Sequence, residues 1–186
     1  MITVKLSYSI LDAWKRYQYE QAVGYYIGQP MPATPAMELG SAYDKMFEAH
    51  IKKYGELPPE IGGGKLVNPK PQTKYQKIIP LNDKYQILFR GVPDCPDEQT
   101  IYEFKCGMTE ATQYVDGWQA DAYKLLIPKA TTAIYLCYNP YFKTYTKGVK
   151  YLDRHNAELA LENIITYGSE LIDYLIMNRL VRDYKG

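Results

Sequence analysis

Histidine, cysteine and tryptophan are scarce in this sequence, with 2, 3 and 2 copies among 186 residues. The two histidines, His50 and His155, lie far apart, so a zinc centre or a histidine-based triad has little to build on, and both are expected at the surface. Cys95, Cys106 and Cys137 show no Cys-x-x-Cys spacing. That excludes a four-thiolate metal centre and a disulfide framework, and leaves the reduced thiols of a cytoplasmic protein. There is no run of about 18 uncharged apolar residues and no basic-then-apolar leader. The chain is therefore expected to be soluble and intracellular, with no membrane partner. No Gly-x-x-x-x-Gly-Lys-Ser/Thr phosphate loop occurs, so any ATP-driven motor would be another chain. A net charge of only +1 speaks against coating nucleic acid by bulk electrostatics.

What the chain does have is a 46% hydrophobic composition, enough at this length for one domain over residues 1–186 and crowded for two. Its charge is uneven. From Ile61 to Asn82 there is no acid, while Lys65, Lys70, Lys74 and Lys77 fall among Gly, Pro and Asn. This reads as a basic ribbon or as an ordinary solvated loop. Twenty tyrosines would serve equally as base-stacking surfaces or as half-buried packing.

Helical spacing of Ile10, Ala13, Trp14 and Tyr17 predicts a first helix through "ILDAWKRYQYEQAVGYY", capped by Ser7 or Ser9. A second fits "AMELGSAYDKMFEAHIKKYG", with Met37, Gly40, Asp44, Phe47, Glu48 and Ile51 on or beside one stripe and Gly55 at its end. "KYQILFRGV" and "TIYEFKC" read as two strands joined through "CPDEQ", with Pro96 in the turn and Asp97 needing only solvent. Thr109 is the predicted cap of a third helix ended by Pro128. "TTAIYLCY" and "FKTYTKGVKYL" are further strands, and Asp153 caps a long last helix. Helices interspersed with strands predict an α/β fold, a mixed central sheet covered by helices on both faces as an α/β/α sandwich.

The stretch "GVPDCPDEQTIYEFKCG" carries the chemistry. Side chains alternate along a strand, so Glu103 and Lys105 share one face while Tyr102, Phe104 and Cys106 take the other. Pairing Cys95 with Thr100 makes Asp94 a diagonal neighbour of Glu103, ~7–8 Å away at the backbone. The same register sets Arg90 against Lys105, a repulsion that a bulge at Gly91 or Pro93 would relieve. Two converging carboxylates without His or Cys partners suit a hard ion, Mg²⁺ or Mn²⁺. Such an ion with a lysine beside it points to phosphodiester hydrolysis. The plain alternative is a solvent-facing strand whose Glu and Lys pair with each other.

In this setting Pro93-Asp94, eight residues, then Glu103-Phe104-Lys105 resembles the signature of the PD-(D/E)XK nuclease superfamily. "GVPD" is similar to the Gly-x-x-Asp form of its RecB-like branch, and Gln119 with Tyr123 resembles that branch's Gln-x-x-x-Tyr helix. "LSYSILDAWKRYQYE" is similar to the branch's first helix, and "LGSAYDKMFE" to its Gly-x-x-x-His helix, with Asp44 where His is usual.

The resemblance implies a restriction-endonuclease-like core with Asp94 and Glu103 as metal ligands, the carbonyl of Phe104 as a further one and Lys105 as the catalytic lysine. Asp44 would approach the Mg²⁺ or Mn²⁺ from the second helix, with Glu48 as a substitute. Gln119 and Tyr123 would hold DNA or organise the site, or else Tyr123 packs on the sheet; Trp118 is expected in the core. CRISPR-adaptation nucleases of this branch hold an iron–sulfur cluster on four cysteines, which this chain lacks, so no cluster is expected. The function implied is a metal-dependent DNase in recombination, repair or mobile-element processing, with the lysines between 65 and 77 gripping the strand. Exonuclease action on single-stranded or duplex ends is preferred over single-strand endonuclease action. The alternative is a nucleic-acid-binding module that has kept the nuclease fold without its activity.

Overall fold

The computed structural model describes residues 1–29 and 31–184. The chain starts not in a helix but in strand β1 (Ile2–Ser7), where Val4 and Leu6 are buried and alternate with Thr3, Lys5 and Ser7. The first predicted helix is two, α1 (Tyr8–Lys15) and α2 (Tyr19–Ile27). Tyr17 breaks them apart with a left-handed φ of 61°, a conformation for which "KRYQY" contains no glycine signal. Ser7 stands at the N-cap of α1, but its side chain makes no capping bond. Helix α3 (Pro35–Tyr54) begins at Thr34, whose hydroxyl accepts the Met37 N–H, and ends at Gly55 in the left-handed conformation.

Within the acid-free stretch lies a strand not foreseen from the sequence, β2 (Tyr75–Pro80), carrying Lys77. It runs antiparallel to β3 (Tyr85–Gly91), whose other edge is parallel to β1, giving a three-stranded sheet in the order β1-β3-β2. A second sheet has the order β4-β5-β6-β7, from β4 (Cys95–Asp97), β5 (Thr100–Cys106), β6 (Thr132–Asn139) and β7 (Thr144–Tyr151). β5 and β6 are parallel; the outer pairings are antiparallel. The third predicted helix also divides, into α4 (Thr112–Val115) and α5 (Gln119–Leu126), at Asp116-Gly117, a dipeptide that favours turns. Thr109 caps neither of them. Helix α6 (Arg154–Met177) closes the order, with Asp153 and Asn156 forming a reciprocal capping box.

The α/β class with mixed sheets and helical cover is as expected, with the strands parted into two sheets. Ile101, Ala133 and Tyr135 face α4 and α5, while Phe104, Leu136 and Tyr138 face Phe47 and Ile51 of α3. Val4, Leu6, Ile87 and Phe89 of the smaller sheet pack against α1, α5 and α6. Trp118 is buried there as expected.

The parting of the sheets corrects the expected hairpin. β3 does not pair with β5, and Arg90 lies beside Ser7 and Gln76 rather than Lys105. Pro93 has no N–H to extend the β3 ladder, so the chain leaves one sheet and joins the other as edge strand β4. Pro96 sits inside β4, opposite Ile101, a placement tolerated at a sheet edge. Cys95 pairs with Tyr102 rather than Thr100, because Asp97 and Thr100 close a two-residue turn with Glu98 at φ 49°. Nor is Asp97 a solvated turn acid: it is buried, and its carboxylate accepts the N–H groups of Val67 and Asn68.

Candidate active site

A register offset of two residues leaves every side chain on its expected face. Continued by one residue, it sets Asp94 against Glu103. Main chain and side chain then interlock. The Asp94 N–H donates to Glu103 Oε1 at 3.2 Å, and the Phe104 N–H donates to Asp94 Oδ2 at 2.8 Å. Gln72, in the loop before β2, donates its side-chain amide to Asp94 Oδ1 at 3.3 Å. Nothing in the sequence singles out Gln72, which reaches this place through a left-handed backbone (φ 55°).

Glu103 is 1% exposed. Its Oε2 accepts from Lys105 Nζ and from the Gln119 amide, both at 3.1 Å. The Gln119 amide also lies 3.2 Å from the Tyr123 hydroxyl. The pair four residues apart on α5 thus organises a carboxylate, and Tyr123 is packed as well. Its ring lies over Gly91, where an added Cβ would come within 2.9 Å of it and 2.7 Å of Leu126. The glycine of "GVPD" is required by close approach, not by backbone freedom.

Asp44 comes from the opposite layer. Phe47, one turn along α3, stacks edge-on against Phe104 with ring centroids 5.7 Å apart, which holds this helix face to β5. Asp44 is half-buried and feels the charges of both Asp94 and Lys105. Glu48 turns away to pair with Lys52. His50 is half-buried beside the Tyr54 ring, and His155 is exposed.

The electrostatics are those of too many acids in too little water. Burial, then repulsion from Asp94, pushes Glu103 up to about 8, with Lys105 opposing. Asp94 is raised, chiefly by burial. Asp44 rises to about 6 through burial and then the Asp94 charge. Burial disfavours the Lys105 ammonium, but Glu103 and Asp94 outweigh it and hold the lysine charged. One ammonium faces three carboxyl groups.

Among the described residues no group of three or more His, Cys, Asp and Glu side chains is gathered in metal-binding geometry. The donor set at this point still fits a hard divalent cation: oxygen donors alone, two of them on interlocked buried carboxyls, with an excess of acid that a cation would offset. Asp94 and Glu103 would hold it. Asp44 stands across the site, and the main chain of Phe104 runs beside Asp94.

The four lysines of the acid-free stretch scatter. Lys74 lies in a cleft reaching Tyr123. Lys65 lines a different cleft with Tyr102 and Lys147, and Lys77 another with Lys124 and Arg154. The Lys70 N–H binds the Pro96 carbonyl, fastening the loop to β4.

No protein-family model matches the chain, and no curated protein matches its sequence. Solved structures share its fold. A candidate exonuclease from Eubacterium rectale superposes with a TM-score of 0.59 at 12% identity, over 98% of this chain and 85% of its own. The exonuclease LHK-Exo in complex with dAMP gives a TM-score of 0.53 at 15% identity, over 94% and 93%. It is an alkaline exonuclease from Laribacter hongkongensis. A phage-related exonuclease from Haemophilus somnus 129PT gives 0.51 at 11% identity, over 90% and 87%. The fold of this chain is that of these exonucleases, in keeping with the PD-(D/E)XK resemblance. No helix among the described residues is long and apolar enough to cross a membrane.

Proposed function

We propose that residues 1–186 serve as one divalent-cation-dependent nuclease domain that hydrolyses DNA phosphodiester bonds, by exonuclease or single-strand-preferring action. The reading is carried by one observation: a fully buried Glu103 bonded to Lys105 and Gln119 and interlocked with Asp94. Burying a carboxyl among other acids costs stability, and groups perturbed in this way cluster at functional sites. The exonuclease fold of the neighbours supports the reaction class, and the dAMP bound to the Laribacter enzyme supports a deoxynucleotide substrate.

In hydrolysis a water oxygen bonds to phosphorus as the bond to the ester oxygen breaks; the attacking water gives up a proton to solvent and the leaving oxygen takes one from it, so protons balance. Mg²⁺ or Mn²⁺ held by Asp94 and Glu103, with Asp44 and the Phe104 carbonyl as further candidates, would supply a more acidic water and neutralise charge on the phosphate. Lys105 is kept protonated by the two acids and is a quarter exposed. Its ammonium would offset the negative charge that grows on the phosphate. Gln119 fixes the carboxylate that fixes Lys105, and Tyr123 with Gly91 fixes Gln119.

The test is cleavage of labelled single- and double-stranded DNA with Mg²⁺ or Mn²⁺. Glu103→Gln, Asp94→Asn and Lys105→Met are each expected to lower the rate by about a hundredfold or more; undiminished cleavage in all three would overturn the assignment. A second reading, a DNA-binding module without turnover, is favoured by Asp44 standing apart from the pair. It predicts salt-sensitive binding with no metal-dependent cleavage.

A further inference from the structure

A cleft of about 530 Å³ opens beside the edge strand β1, walled by Lys5, Arg90 and Arg182 and by Tyr25, Tyr26 and Tyr184. An adjoining cleft of about 440 Å³ shares Lys5, Ser7 and Arg90, adds Lys74, and ends on Gly91, Val92 and Tyr123. Lys5, Ser7 and Arg90 line both, so the two clefts adjoin along β1, a groove in two parts. Its inner end approaches the reaction centre: Tyr123, which lines it, meets the amide that binds Glu103, and Val92 lies two residues before Asp94, while the acids themselves line neither cleft.

We propose that this groove seats a single nucleic-acid strand leading away from Asp94 and Glu103, with Lys5, Lys74, Arg90 and Arg182 along its phosphates and its bases against the tyrosines. The assignment rests on the nuclease reading and extends it to the form of the substrate.

Charge comes first. Four cations line the groove against one acid, Asp183, in a protein whose net charge is +1. The Asp183 carboxylate is turned to the main chain, accepting the Thr3 N–H at 2.9 Å. Such a concentration of charge fits a phosphate backbone. The rings come second, since every base has a face that stacks on an aromatic side chain. These rings are already held in place. The Tyr26 hydroxyl accepts the Arg182 N–H at 2.8 Å, the Tyr184 N–H donates to the Thr3 carbonyl at 2.9 Å, and Lys5 Nζ lies 5.5 Å from the centre of the Tyr184 ring. Size comes third: each half is within the ~300–1,000 Å³ of small-ligand pockets, room for a strand one nucleotide wide.

Binding of a fluorescein-labelled oligothymidylate to the full chain, followed by anisotropy in EDTA so that nothing is cut, tests this. Lys5→Glu combined with Arg90→Glu is expected to weaken binding by about tenfold or more and to flatten the salt dependence by about 1.4 in the log–log slope. A charge-matched control, Lys53→Glu combined with Lys129→Glu at two exposed positions outside both clefts, should stay within about twofold of the parent. Because Arg90 is half-buried in β3, a second measurement avoids substitution: 5-iodouracil strands irradiated on the unmodified protein should crosslink to Tyr25, Tyr26 or Tyr184. Undiminished binding in the double variant, crosslinks confined to other surfaces, or polyglutamate binding as tightly as the oligonucleotide would each overturn the groove. If the parent cleaves DNA while the double variant binds as well as the parent, the groove fails and the nuclease reading stands. If groove binding is lost as expected and the parent does not cleave, the reverse holds.

Discussion

At the residue scale, Glu103 decides most of the behaviour. An acid whose pKa rises on folding is favoured by the fold in its neutral form. The unfolded chain ionises first, so that part of the stability is complete below the ordinary glutamate range and is lost as pH climbs towards about 8. In EDTA the parent should therefore melt at a lower temperature at pH 8 than at pH 5, whereas Glu103→Gln should flatten that dependence by several degrees. Each kcal/mol shifts the midpoint by about 2–4 °C in a chain of this size. Scanning calorimetry across that range checks it; an identical slope in the two proteins would contradict the burial of this carboxyl. Manganese uptake at pH 7 should release protons, read as a binding enthalpy that changes with the ionisation enthalpy of the buffer. Gly91→Val is a packing test: the new side chain meets Tyr123 and Leu126, and a loss of about 1–3 kcal/mol in urea unfolding is expected.

At the element scale, the site depends on how α5 is fastened. Asp121 is buried on this helix, takes Lys150 Nζ of β7 at 2.9 Å and the Asn156 amide of α6 at 2.9 Å, and so ties three elements together. Asp121→Ala would leave the Lys150 ammonium half-enclosed with only the Gly117 carbonyl for company, a loss of about 3–5 kcal/mol. Urea denaturation measures it, and a change below about 1 kcal/mol would show that the pair is not buried in solution.

This is also the scale at which sequence reading succeeded unevenly. Helix α3 announces itself by its stripe and Gly55, and α6 by Asp153. The break at Tyr17 is not announced, because an exposed residue with a side chain takes the left-handed conformation there with no glycine to signal it; the turn through "CPDEQ" is legible, but not that Glu98 carries its left-handed residue. The alternation of Ile2, Val4 and Leu6 was there to be read as a strand and was overshadowed by the helical spacing that follows. Asp94, Glu103 and Lys105 come together as the strand pattern suggests, and Gln119 and Tyr123 join them as the resemblance implies. An error of two residues in register changes no face, whereas an error of one would have turned Glu103 away from Lys105. The scatter of Lys65, Lys70 and Lys77 had no such protection, since a loop carries no periodicity to say where its side chains point.

At the scale of the whole molecule, the two sheets divide the work. The four-stranded one carries Glu103 and Lys105, and the three-stranded one delivers the peptide that carries Asp94. Helix α5 touches both, with Trp118, Ala122 and Leu125 against one core and Ala120 and Tyr123 against the other. Divalent ions should therefore stabilise the entire fold, by about 2.7 kcal/mol at a hundred times the dissociation constant, and raise its melting temperature with it. Glu103→Gln should largely abolish that gain, with thermal denaturation as the measurement.

The crossing at Pro93 gives this arrangement a vernier. A slide of one sheet against the other by a fraction of an ångström, too small for circular dichroism to register, is read out in full by the one acidic side chain mounted on the bridge. Turnover should thus fade on gentle warming while the helical signal is still intact, and a disulfide stapling the sheets at a distance should postpone the fading without touching any reacting group.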